Sequence, residues 1–107
     1  MSNLDFTISC TVTFFSKKNT NPPNLNNGKY SSHIVVKGTK EPIEVNFIDG
    51  EDVIFDQPIR ANALPVNEDL DYSSLQVGTE FFIKEDSLIV GEGFIREIFQ
   101  HIPYKKK

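Results

Sequence analysis

The chain has 107 residues, of which 38% are apolar and 24% charged, with nine Phe, no Trp and a single Cys. That is enough for one hydrophobic core but not for a nucleotide-binding domain beside it, and the composition argues against wholesale disorder. The net charge of -4 hides an asymmetry: residues 1–40 carry +4, residues 41–97 hold fourteen acids against Arg60, Lys84 and Arg96 for a net -11, and Lys105, Lys106 and Lys107 return +3. An acidic body repels nucleic acid and membranes and steers basic proteins.

One cysteine, Cys10, excludes an intramolecular disulfide framework and reads as a small buried hydrophobe in a reducing compartment. No apolar run reaches the about 20 residues of a membrane helix, and Met1 to Asp5 lacks the pattern of a signal peptide. The expected location is cytoplasmic.

Leu4 to Phe15 alternates Phe6, Ile8, Cys10 and Val12 with Asp5, Thr7, Ser9, Thr11 and Thr13, the pattern of a half-buried strand. Ser16 to Lys29 has no periodicity and is dominated by turn formers, so it reads as a long exposed loop too polar for core packing and suited to binding. A strand over Tyr30 to Lys37 follows, with Tyr30, Ser32, Ile34 and Val36 on one face. Gly38 to Pro42 turns the chain into a strand over Ile43 to Ile48, closed by the turn dipeptide Asp49-Gly50. Val53 to Phe55 reads as the start of a further strand, and Ile59 to Leu64 as another ending at Pro65. Val66 to Val77 is an acidic excursion with room for one helical turn only.

The last strands form a hairpin. Phe81 to Ile83 and Leu88 to Val90 flank Lys84-Glu85-Asp86-Ser87, which fits a four- or five-residue loop, and the second arm runs on to Phe99. Gly91 and Gly93 share one face of that arm, where missing side chains mark a bend, a bulge or close approach of another backbone. Short strands at near-regular spacing without a helix-period stretch predict an all-β sandwich or barrel. Expected core residues are Phe6, Ile8, Val12, Ile34, Val36, Val45, Phe81, Ile83, Val90 and Phe94; a bulge at the glycine pair would flip the register beyond it.

The hairpin resembles the end of the C-terminal β-barrel, the third domain, of the elongation factor Tu family, whose pattern there reads roughly R-F-A-I-R-E-G-G-R-T-V-G-A-G-V-V. Phe81, Ile83, Glu85, Val90, Gly91 and Gly93 match it without a gap, and Lys84 stands for Arg. Upstream, Ser16-Lys17 resembles the start of the family's long loop and Tyr30 falls at its N-G-Y-R-P-Q-F tyrosine. The resemblance implies a six-stranded antiparallel barrel; the length fits a single domain over residues 1–107, and the lysine run makes residues 103–107 a frayed basic tail. In the family this barrel helps grip the tRNA backbone; the loop arginines are absent here, and Asp86-Ser87-Leu88 replaces the family's glycine pair and arginine.

No catalytic constellation stands out. His33 and His101 lack metal-site spacing, the carboxylates lack an EF-hand glycine, and Gly91-Glu92-Gly93 opens no helix. The expectation is a non-enzymatic chain without cofactor, metal or nucleotide: a stand-alone translation-factor-like barrel that binds another protein. A narrower version is an inhibitor or immunity protein whose acidic surface steers a basic partner. Glu68, Asp69 and Asp71 are its candidate contact residues. The alternative is a residual RNA- or tRNA-binding module, with Lys17, Lys18, Lys29, Tyr30 and Lys37 as candidate contacts.

Overall fold

The computed structural model describes residues 6–18, 21–66 and 72–100. Six strands, β1 (Phe6–Phe14), β2 (Tyr30–Val36), β3 (Pro42–Gly50), β4 (Ile59–Pro65), β5 (Glu80–Glu85) and β6 (Leu88–Gln100), form a closed barrel in the order β1-β4-β3-β2-β5-β6. Every pairing is antiparallel. One 3-10 turn, Ser16–Lys18, follows β1, and among the described residues no helix is long and apolar enough to cross a membrane.

Period-two alternation turns Ile8, Cys10, Val12 and Phe14 inward from β1, where they meet Ile34, Val45, Phe47, Ala61, Ala63, Phe81, Ile83 and Ile95. Of the residues expected in the core, Ile8, Val12, Ile34, Val45, Phe81, Ile83 and Val90 are buried, while Phe6 and Val36 pack against the core half-buried. Phe94 is the exception, 44% exposed on the outer wall. The cause is a bulge: Ile83 pairs with Gly91 but Lys84 pairs with Ile89, leaving Val90 as an extra residue. Val90 and Gly91 are both buried, and beyond them Ile95 points in and Phe94 out.

The glycine pair lies where the wall is most crowded. A Cβ on Gly93 would collide with the Thr11 carbonyl oxygen and lie 2.9 Å from Val12 Cγ1 and 3.0 Å from Phe81 Cζ; one on Gly91 would lie 2.6 Å from the Thr13 carbonyl oxygen. Each glycine is registered between two bulky inward residues, Gly93 between Val12 and Phe81, and Gly91 between Phe14 and Ile83.

Both connections that cross a barrel mouth also fill it. The β1–β2 connection delivers Leu25, 1% exposed, against Gly50, and the β4–β5 connection delivers Tyr72 and Leu75 at the other end, with Tyr72 edge-on to Phe6. The long polar loop therefore packs the core through Leu25, contrary to its reading as too polar for core packing. Its asparagines pin it: Asn24 Oδ1 accepts from Asn26 N, Asn27 Oδ1 accepts from Lys29 N, and Asn26 exchanges hydrogen bonds of 2.8 and 3.1 Å with the Gly50 backbone.

Two further boundaries differ from the sequence reading. Asp49-Gly50 ends no strand early but extends β3, because Ile48 is an extra residue between the pairs Phe47–Ala63 and Asp49–Asn62 and the ladder then resumes. Val53 to Phe55 is not a strand; these residues lie in the connection 51–58, with Val53 and Phe55 packed half-buried on the core. The β5–β6 turn is tighter than expected, two residues between Glu85 and Leu88, with Asp86 at φ 57° as the primed hairpin turns require of their first residue.

Gly93→Val should destabilise the barrel by about 2 kcal/mol or more, through overpacking against Thr11, Val12 and Phe81. Urea unfolding checks this; an unchanged midpoint would mean that β6 is not wedged between its neighbours. The thiol of Cys10 is 1% exposed, and burial pushes its ionisation from 9.0 up to about 12, against a smaller opposite pull from the Arg96 charge. The unfolded thiol thus loses its proton first, so stability falls as pH rises through this window, by at most about 1.4 kcal/mol per pH unit. Cys10→Ala should lower stability at neutral pH and flatten the decline above pH 9, which denaturant melts at several pH values would measure.

Candidate binding groove

Residues on adjacent strands that face outward form rows across the barrel. Thr11 pairs with Arg60 on one side and Phe94 on the other, giving the row Arg60–Thr11–Phe94 over β4, β1 and β6. In the next row Ser9 pairs with Asn62, and Asn62 with Asp49. Arg96 borders this row as the extra residue of a second bulge, between the pairs Cys10–Ile95 and Ser9–Glu97. Beyond it Phe99, 49% exposed, pairs with Thr7.

Between these rows runs an open groove of about 480 Å³, lined by Ser9, Asn26, Asp49, Glu51, Arg60, Asn62 and Arg96. The chain has only two arginines, and both line it. Its acids are already engaged: Asn62 Nδ2 donates to Asp49 Oδ1 at 2.7 Å, and the Arg60 backbone N–H donates to Glu51 Oε1 at 2.8 Å, while Glu51 N–H returns a bond to the Arg60 carbonyl. Among the described residues neither guanidinium has an ion-pair partner; the ion pairs there belong to Lys37. The groove therefore offers donors in excess of acceptors: two planar guanidinium forks, the Ser9 hydroxyl and side-chain amides.

A second cleft of about 280 Å³, lined by Thr11, Thr13, Lys37, Pro58, Glu80, Glu92, Gly93 and Phe94, adjoins Phe94. Its charges are committed, with Lys37 Nζ 3.2 Å from Glu80 and 3.3 Å from Glu92 and 4.9 Å above the Phe82 ring. Those two carboxylates raise the Lys37 ionisation above its ordinary value. The arrangement ties β2, β5 and β6 together.

The residues singled out from sequence do not converge. Glu68, Asp69 and Asp71 lie outside the described residues, as do residues 103–107. Lys17 is exposed on the 3-10 turn, where the side chain of Lys18 is not described, and Lys29 is exposed just before β2. Lys37 follows the far end of that strand, roughly 26 Å from Lys29 at the usual rise per residue. Tyr30 is no stacking platform. Its ring packs between Phe14 at 5.9 Å and Phe47 at 5.6 Å, and its hydroxyl donates to Glu85. Burial first, and the Glu85 carboxylate second, push its ionisation up.

Arg60, Arg96, Phe94 and Phe99 escaped the sequence reading. The scarcity of arginine was the available signal, but 36 positions separate the pair, and only strand register and a bulge bring them to one groove. A scan of protein-family models, a search of curated proteins and a search of solved structures returned no match.

Tyr30→Phe should cost about 1.5 kcal/mol, since it keeps the ring packing and removes the donor to a carboxylate. A tyrosine held for its ring alone would tolerate the change without loss, and thermal melts separate the two.

Proposed function

We propose that this barrel is a non-catalytic protein-binding module, of the translation-factor C-terminal type its last hairpin resembles, which docks a partner on the outer wall of β4, β1 and β6. The observation that carries the proposal is the coincidence of both exposed β6 phenylalanines, Phe94 and Phe99, with both arginines of the chain on that wall. Phenylalanine and arginine are enriched at the centres of protein interfaces, where an aromatic supplies apolar area and a guanidinium supplies directed hydrogen bonds. The narrower reading as an inhibitor with a contact face at Glu68, Asp69 and Asp71 rests on residues outside the described set, so the wall of β4, β1 and β6 carries the proposal.

RNA is the second reading, because exposed aromatics beside arginines can stack bases and meet phosphates. The charge of the wall weighs against it: Glu92 and Glu97 also lie on β6, and Asp49 and Glu51 line the groove. A phosphate backbone would meet these carboxylates at each step along the wall.

Affinity capture with the wild type and with a Phe94→Ser, Phe99→Ser double variant tests the proposal. The expected outcome is a protein retained by the wild type, unaffected by nuclease and lost from the folded variant. Retention of tRNA on filters, falling with added salt, would replace the protein reading with the RNA one.

A further inference from the structure

We propose that the groove between Arg60 and Arg96 is a carboxylate subsite, which receives an acidic side chain or chain-terminal carboxylate of the docked partner beside Phe94 and Phe99. The inference rests on the docking reading above and names the chemistry of the partner segment: an acidic strand or tail bearing apolar residues.

The first ground is uncommitted charge. The groove holds two arginines and two acids, yet among the described residues no ion pair joins them: Asp49 accepts from Asn62, and Glu51 from the backbone N–H of Arg60. A guanidinium exposes a rigid fork that fits a carboxylate with two parallel hydrogen bonds, and two such forks with a hydroxyl between them provide more donors than one carboxylate can use.

The second ground is backbone construction. Arg96 is the extra residue of the β6 bulge opposite Ser9 and Cys10, and Asp49 follows the extra residue Ile48 of the β3 bulge. Bulges re-aim side chains that an unbroken ladder would send elsewhere, and both of these border the same groove. The Val90 bulge leaves Phe94 on the outer face, and Arg96, two residues on, shares that face; the second bulge sets Arg96 side by side with Glu97 opposite Ser9.

The third ground is selectivity. Asp49 and Glu51 hold the formal charge of the lining near zero, so extra negative charge on a ligand gains little here, and recognition rests on the directed hydrogen bonds of two guanidinium forks, which a planar carboxylate can satisfy in pairs. Mixed lining of this kind favours a protein carboxylate over nucleic acid.

With two arginines in the chain, the side-chain Nε–H region of a ¹⁵N spectrum carries two signals, one for each wall of the groove. The full-length chain is titrated with a blocked hexapeptide alternating glutamate and phenylalanine, with its glutamine counterpart, with inorganic phosphate and with an oligouridine. Both Nε–H signals should move saturably with the glutamate peptide, and the glutamine peptide should bind about tenfold more weakly. Arg60→Gln and Arg96→Gln should each weaken the glutamate peptide to a similar extent with the amide spectrum intact, and Arg60→Lys should restore only part of the loss. If the backbone amides of Phe94 and Phe99 respond equally to both peptides while the Nε–H signals stay fixed, the carboxylate subsite is overturned and the docking wall survives. Movement of the Nε–H signals without those amides keeps the subsite and overturns the wall. No response to the glutamate peptide, or tighter saturation by phosphate or oligouridine, overturns the inference.

Discussion

The closing of a six-stranded wall onto a narrow interior is the constraint on which this structure depends. Each strand sends every second side chain inward, and six strands of Phe, Ile and Val overfill so small a space unless some positions yield. Here β6 yields. Gly91 and Gly93 remove two side chains from the row that already holds Phe14 and Ile83, then Val12 and Phe81, and the carbonyls of Thr11 and Thr13 close into the space left. The same curvature is accommodated by bulges at Val90, Arg96 and Ile48, since an extra residue bends a strand and tightens its twist.

A closed wall still has two open mouths, and the chain meets that cost with its crossing connections. Leu25 enters one end and Tyr72 with Leu75 the other, so segments that look unstructured in composition complete the core. Polarity and burial coexist in residues 21–29 because their asparagines satisfy the local backbone while Leu25 turns inward. Tyr72 does the same at the opposite end, its hydroxyl donating to the Glu44 carbonyl and accepting from Val66 N–H as its ring packs on Phe6. At the first mouth Tyr30 combines ring packing on Phe14 and Phe47 with a hydrogen bond to Glu85, which fixes the beginning of β2 to the end of β5.

The bulges that let the wall close also decide what it displays. One residue of slip exchanges the two faces of a strand, so the Val90 bulge turns Phe94 from core to surface and carries Arg96, two residues on, to the same outer face beside Ser9. Packing and display are thus consequences of the same backbone irregularity. A barrel with an unbroken β6 would bury Phe94 and leave the groove with Arg60 alone.

The existence and order of most strands were legible in the sequence because alternation of apolar and polar residues has a period that only a strand satisfies, as in Phe6 to Phe14 and Tyr30 to Val36. The hairpin at the end of the chain and the crowding at Gly91 and Gly93 were legible for the same local reason. Asp49-Gly50 misled because a turn dipeptide inside a bulged strand has the same composition as one in a turn, and Val53 to Phe55 misled because residues packing a loop onto a core alternate as strand residues do. The groove was not legible at all. Arg60 and Arg96 become neighbours only once the barrel has closed and the Val90 bulge has slipped β6 by one residue against β5, and a slip of register is settled by the fit of side chains across strands far apart in sequence. Local pattern determined which segments are strands; only the tertiary packing decided which of their side chains face the solvent together.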